Sequence, residues 1–173
     1  LIVDGPLQFL KQDDGSPEYA DMFYNVAGVS KSFNPMMPIS GKARRGNQHI
    51  GAELLKLKRG QRTPVFLKRN SRGRQFGCWY LRIRDRGRAS NPLDGIVKIE
   101  KMALREDLDR AGLDTDTVDT ISLSIMHEAI PTCFGRDKRW ANHLYPVYLT
   151  ETYIKSTLDG NEVFTHNFRK NIG

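Results

Sequence analysis

The clearest candidate for chemistry is an aspartate near the start of the chain. Asp4 follows the apolar run at residues 1–3 and precedes a Gly5-Pro6 turn signal. A carboxylate at the end of a buried strand is held rigidly, and oxygen ligands of this kind bind hard divalent cations. An aspartate before glycine is more commonly a turn residue. The pattern is therefore compatible with two roles for Asp4, metal ligand and turn residue, and on its own it favours the turn residue.

The histidines and cysteines lack the spacing of a zinc site. Cys78 and Cys133 lie too far apart for a CxxC element, and position 131 after His127-Glu128 is not a histidine, so the zincin motif is absent. Walker A, GxGxxG and nucleophile-elbow motifs are also absent, which argues against a nucleotide-dependent enzyme or an α/β-hydrolase. His143 stands out because a basic and aromatic segment, residues 136–140, precedes it.

The chain has the size of one domain. Of its 173 residues, 39% are apolar, which suffices for a folded core. No apolar run is long enough to span a bilayer, no secretory leader pattern occurs, and two cysteines do not make a disulfide framework. We therefore expect a cytoplasmic protein without a membrane partner. Because the chain opens directly in an apolar strand at Leu1, we expect it to be the later part of a longer protein.

The formal net charge of +7 is unevenly distributed along the chain. Residues 41–90, which we call the basic segment, hold 15 Lys+Arg and two acids, Glu53 and Asp85, whereas each flanking segment carries −3. Arginines outnumber lysines here, and arginine binds phosphate in a bidentate geometry. We expect nucleic acid as the partner, with a solvated basic face as the alternative. The expected contacts to the DNA backbone are Arg44, Arg45, Lys56, Arg59, Lys68, Arg69, Arg72 and Arg74.

Hydrophobic patterns predict an α/β fold with strands early and helices late. Strands are expected at residues 1–3, 22–29, 76–84 and 95–102, the last two as an antiparallel hairpin with a long connection, and a flexible basic loop is expected at 68–77. Helices are expected at 48–59, 105–112, 115–128 and 146–158. Along 76–84, one face carries Cys78, Tyr80, Arg82 and Arg84, so this strand is expected to be half exposed and to present arginines.

Four motifs in order along the chain resemble those of the NurA nuclease domain. Residues 1–7 resemble its strand-end Asp-Gly-Pro-Leu motif, and residues 26–32 resemble its next strand, which ends in a Gly-hydrophobic-x-Lys stretch. Residues 79–83 and 96–100 resemble its late paired strands, and residues 143–149 resemble its proline-led C-terminal motif. The resemblance spans about residues 1–158, and Asp-Gly-Pro-Leu is its most specific motif.

The resemblance implies an RNase H-like mixed sheet with flanking helices, with residues 1–173 forming the C-terminal portion of a single nuclease domain. It implies a Mn²⁺- or Mg²⁺-dependent deoxyribonuclease that acts on single strands and duplex ends in DNA end resection and repair. It also implies a homodimer that works with a HerA-type hexameric ATPase. Asp4 and His143 would be catalytic metal ligands, and Tyr24 a further catalytic residue. The family's first catalytic aspartate and the acid after it precede Asp-Gly-Pro-Leu, so the domain is expected to be incomplete.

Two other functions use the basic segment without catalysis. One is a non-enzymatic nucleic-acid-binding or assembly domain. The other is a ribosome-associated structural protein, which would account for the arginines without Asp4. Trp79 and Trp140 are the tryptophans available to stack on a base, although burial in the core is the more common fate of tryptophan.

Overall fold

The computed structural model describes most of the first 129 residues. The described ranges are 1–7, 23, 25–36, 49–70, 73–85, 91–109, 112–129, 149–150 and 153–154. None of the helices within these ranges is both long enough and apolar enough to cross a bilayer.

Within the described part of the chain, five strands form one open sheet with mixed strand directions. The strands are β1 (Ile2–Asp4), β2 (Ala27–Ser30), β3 (Phe66–Arg69), β4 (Gln75–Arg82) and β5 (Ile96–Met102). The helices whose bounds lie in the described ranges are α1 (Ile50–Leu54), α2 (Arg105–Asp109) and α3 (Thr115–Glu128), and residues 149–150 and 153–154, within the helix predicted at 146–158, are helical as well. The strand order is β1-β2-β5-β4-β3, in which β1 and β2 are parallel and the other neighbours are antiparallel. The predicted α/β fold with a mixed sheet and the predicted hairpin of β4 and β5 are confirmed.

Helix α3 covers one face of the sheet and has the predicted bounds. It begins after Asp114, whose carboxylate accepts a hydrogen bond from a backbone N–H of the first turn and so caps the helix. Val118 and Ile125 on its buried side join the main apolar cluster, which includes Trp79. The indole N–H of Trp79 donates to Ser122 Oγ at 3.0 Å. Trp79 is therefore a core residue and not a stacking platform for a base.

The opposite face of the sheet is also covered. Leu7, which follows β1, packs in one apolar cluster, and Ile50 and Leu54 of α1 pack in another. As a result, β5 is buried along its whole length, and so is every residue of β4 after Gln75.

The prediction that the strand at 76–84 is half exposed and presents Arg82 and Arg84 is wrong for the strand and for Arg82, whereas Arg84, which follows β4, is partly exposed. Arg82 is fully buried. Its guanidinium donates to the carbonyl oxygens of Leu54, Pro92 and Asp94 at 3.2–3.4 Å, which ties the end of α1 to the β4–β5 connection. Alternation along a strand does not distinguish an arginine that faces solvent from one that satisfies buried carbonyl groups.

Several other predicted elements have different bounds in the structure. The strand predicted at 22–29 is β2, which begins after a hydrogen-bonded turn. The helices predicted at 48–59 and 105–112 are the shorter α1 and α2. The loop predicted at 68–77 contains the end of β3 and the start of β4. Strand β3 lies at an edge of the sheet, where charged side chains keep their contact with water.

Candidate functional site

Asp4 lies where β1 reaches the end of the sheet. Gly5 follows with a φ of +117°, a conformation that L side chains rarely adopt. The Gly5 N–H donates to the carbonyl of Val29 at 2.8 Å, which continues the parallel pairing of β1 with β2 and fixes the start of the turn. The predicted position of Asp4 at a strand end is confirmed, and 44% of its side chain is exposed.

Lys31 is the ionic partner of Asp4. Its Nζ donates to Asp4 Oδ2 at 3.0 Å. Lys31 directly follows β2, and because β1 and β2 are parallel, both residues leave the sheet at the same end. An exposed pair of this kind contributes about 0.2–1 kcal/mol to folding. The carboxylate of Asp4 is therefore accessible to solvent, and its removal should leave the fold intact.

The described residues do not by themselves fit a divalent-metal centre. Within the described ranges, no group of three or more His, Cys, Asp or Glu side chains is placed to hold a metal ion. Mg²⁺ and Mn²⁺ prefer about six oxygen ligands. Asp4 supplies a single carboxylate, while His143 and Tyr24, the other predicted catalytic residues, lie outside the described residues.

The turn after Asp4 is held on the sheet by a close approach to Gly28. A Cβ atom on Gly28 would lie 2.7 Å from the carbonyl oxygen of Gly5 and 2.8 Å from Leu7 Cγ. Side chains do not pack at such distances, so only glycine fits here without movement of the turn. Leu7 itself is 2% exposed. The glycine and leucine of the Asp-Gly-Pro-Leu motif therefore have a structural role, because they fix the backbone that presents Asp4.

A second group of polar residues is buried on the face covered by Leu7. Strand pairing places Ser30, Lys98 and Tyr80 in one row across the sheet, with Glu100 and Cys78 opposite each other in the next row. Lys98 and Glu100 form a buried ion pair, and Cys78 Sγ lies 3.8 Å from Glu100 Oε1. None of the motifs considered in the sequence indicated this group. The signal available was two opposite charges two residues apart, and so on the same face, in a strand whose other residues apart from Lys101 are apolar.

Burial keeps the thiol and the phenol of β4 protonated. Loss of hydration raises the pKa of Cys78 to about 12, and the negative charge of Glu100 adds to the effect. Burial likewise raises the pKa of Tyr80 to about 12. Among the described residues, the Tyr80 hydroxyl and Ser30 Oγ have no hydrogen-bond partner. A protonated thiol or phenol is a poor nucleophile, so this group does not have the properties of a nucleophilic active site.

Five of the eight predicted DNA-contacting residues are described. Lys56, Arg59 and Arg69 are exposed, and Lys68 and Arg74 are half-buried. The remaining three lie outside the described residues: Arg44, Arg45 and Arg72. The basic segment therefore places cationic side chains at the surface, and their contact with DNA stays a prediction.

Two comparisons with known proteins give no match. No family model matches the sequence, and no curated protein matches it. The resemblance to the NurA nuclease domain therefore stays a prediction, together with the roles that it implies for Asp4, His143 and Tyr24.

Proposed function

We propose that this chain holds DNA as part of a metal-dependent DNA nuclease that acts on single strands and duplex ends. The observation that carries the proposal is the exposed positive charge of the basic segment, where Lys58, Arg59 and Arg69 all face solvent. Cationic side chains at a surface bind a nucleic-acid backbone by releasing its condensed counterions, without reading bases. The same release makes the affinity depend strongly on salt.

The nuclease part of the proposal rests on Asp4. An accessible carboxylate at a strand end, on a turn held by Gly28, is a ligand of the type that Mn²⁺ or Mg²⁺ binds. The further ligands would come from residues outside the described ranges, His143 among them, or from another segment of the protein. In this proposal the mixed sheet is of the RNase H-like type, and the physiological assembly is a homodimer with a HerA-type ATPase.

A non-catalytic nucleic-acid-binding domain is the second candidate. It is favoured by the donor set of the described residues, among which no group of three or more His, Cys, Asp or Glu side chains is placed to hold a metal ion. In this case the basic segment binds nucleic acid, and Asp4 serves only as the partner of Lys31 and as the start of the turn.

Parallel cleavage and binding assays, carried out with the full-length protein on a labelled DNA single strand, separate the two candidates. A nuclease is expected to cut the strand in Mn²⁺ but not in EDTA, and Asp4→Asn should abolish cutting while binding persists. Asp119→Asn is the matched control, because Asp119 is another exposed aspartate in a surface ion pair, with Arg62 at 2.6 Å. Binding without Mn²⁺-dependent cutting supports the second candidate. An affinity that barely changes up to about 0.2 M salt contradicts both.

A further inference from the structure

A groove lies between α1 and the segment that leads into β3. Its volume is about 450 Å³, which falls in the range of small-molecule sites in proteins. Leu57, Val65 and Phe66 give it an apolar floor. Each of the three is half-buried, because one side of the residue packs on a core cluster while the other lines the groove. The floor is therefore held in place by the core.

Hydrogen bonds fix the shape of the groove. The Thr63 N–H donates to the Tyr80 carbonyl at 2.9 Å, and Thr63 Oγ1 accepts from the Tyr80 N–H at 3.1 Å, which ties one wall to β4. The turn that joins the two walls is closed by the Gln61 N–H, which donates to the Lys58 carbonyl at 2.9 Å. A site that is already formed loses less entropy when it binds a ligand.

Basic residues outnumber acidic residues around the groove. Lys56 and Arg62 line it, and each pairs with one acidic residue, at 2.7 and 2.6 Å respectively. Lys58 and Arg59, in the turn between the walls, are both exposed. Four cations and two acids leave a net charge of +2, which complements a phosphate backbone. The pair of Lys56 is exposed and therefore weak, so this lysine can exchange its partner for a phosphate.

An apolar floor within a positive rim matches one unpaired nucleotide. Proteins bind single-stranded nucleic acids with cations that follow the phosphates and with apolar or aromatic surfaces that take up unstacked bases. In a duplex the bases are paired and stacked inside the helix, so none of them reaches such a floor without being flipped out. A groove of this kind therefore discriminates between single strands and duplexes, whereas exposed cations alone bind both.

We propose that the groove floored by Leu57, Val65 and Phe66 holds one base of a DNA single strand, while the surrounding cations hold its phosphates. The inference rests on the proposed DNA binding and specifies the substrate class, because it makes single strands the preferred ligand. It assigns a binding role to apolar residues, whereas the eight residues predicted from the sequence to contact DNA are all cations.

Fluorescence anisotropy with the full-length protein in EDTA tests the groove, using a labelled single strand of about 20 nucleotides and the duplex of the same sequence. Leu57→Ala and Val65→Ala should each weaken single-strand binding about tenfold. Each should change duplex binding less than about twofold and leave the salt dependence unaltered, since no phosphate contact is lost. Leu123→Ala is the matched control, because Leu123 is a partly exposed leucine on α3 that does not line the groove. We expect it to change neither affinity.

A strand without bases tests the same contact without altering the protein. We expect an abasic single strand of the same length to bind the wild type about tenfold more weakly, because its phosphates remain but no base enters the groove. On that strand Leu57→Ala should cause no further loss, since both changes remove one and the same contact.

The failures of the two claims are distinguishable. If the wild type binds in a salt-dependent way but Leu57→Ala and Val65→Ala behave like Leu123→Ala, the groove does not hold a base and the proposed DNA binding stands. A loss of equal size for single strand and duplex refutes the groove as well. If the wild type binds neither DNA in a salt-dependent way, the proposed function fails first. Circular dichroism checks the fold of each variant. Should the variants fail to fold, the wild type decides, since equal affinities for the ordinary and the abasic strand refute the groove.

Discussion

A methyl group added at Gly28 tests how the turn after Asp4 is held on the sheet. In Gly28→Ala the new Cβ would lie 2.7 Å from the Gly5 carbonyl oxygen and 2.8 Å from Leu7 Cγ. The first neighbour is backbone and does not rotate away, so the whole turn must shift. Overpacking by one methyl group costs about 1–3 kcal/mol, and we expect the free energy of unfolding to fall by about 2 kcal/mol.

Urea unfolding followed by circular dichroism measures this loss. With an m-value of about 2 kcal/mol per molar, a loss of about 2 kcal/mol lowers the urea midpoint by about 1 M. Gly112→Ala is the matched control, because a Cβ at Gly112 meets nothing within 4 Å and its φ is not positive. We expect its midpoint to stay unchanged or to rise slightly, since alanine restricts the unfolded chain.

A double variant sharpens the test by removing one of the two clashing atoms. Leu7→Ala alone should cost about 2–5 kcal/mol, because Leu7 is buried. Combined with Gly28→Ala it should cost less than the sum of the two losses, since the contact with Leu7 Cγ no longer exists. A Gly28→Ala midpoint equal to that of the wild type, or full additivity in the double variant, refutes the close packing of the turn on β2.

Three further predictions concern the buried polar residues. Lys98→Met leaves Glu100 buried without its cation and should lower the free energy of unfolding, measured in urea, by about 3–5 kcal/mol. Adding Glu100→Leu should recover most of that loss, and no recovery would contradict the ion pair. Stability should be highest below about pH 9 and should fall as the pH rises towards 12, because folding raises the pKa values of Cys78 and Tyr80 to about 12; a Tm that is constant from pH 8 to about 11 would contradict their burial. Arg82→Met removes the donor to three carbonyl groups and should lower the Tm by several degrees, and an unchanged Tm would show that those bonds contribute little.

Elements governed by local patterns were predictable from the sequence. The bounds of α3 follow from the cap at Asp114 and the apolar residues at helical spacing after it. The β4–β5 hairpin follows from two runs of β-forming residues separated by turn signals. Asp4 was expected at a strand end because an apolar run precedes it and a turn signal follows it. In the structure, Gly5 has a positive φ and ends β1 directly after Asp4.

Features that depend on distant segments were not predictable. Arg82 was assigned to an exposed face because the sequence does not reveal that α1 and Leu7 cover that side of the sheet. Lys31 was not expected to pair with Asp4, because the contact arises only from the parallel register of β1 and β2.

The sheet combines strands that are close in the sequence with strands that are far apart. Strands β3, β4 and β5 follow one another along the chain, whereas Ala27 of β2 pairs with Lys101 of β5. Because closing a long loop costs entropy before its contacts form, we expect the three-stranded part to fold first and β1 and β2 to join it last. In hydrogen-exchange experiments, the amides of β1 and β2 should therefore exchange before those of β4 and β5. The edge of the sheet formed by β1 and β2, which carries Asp4 and Lys31, is then the part that opens most readily. A ligand bound there would slow the hydrogen exchange of these amides more than that of any other strand.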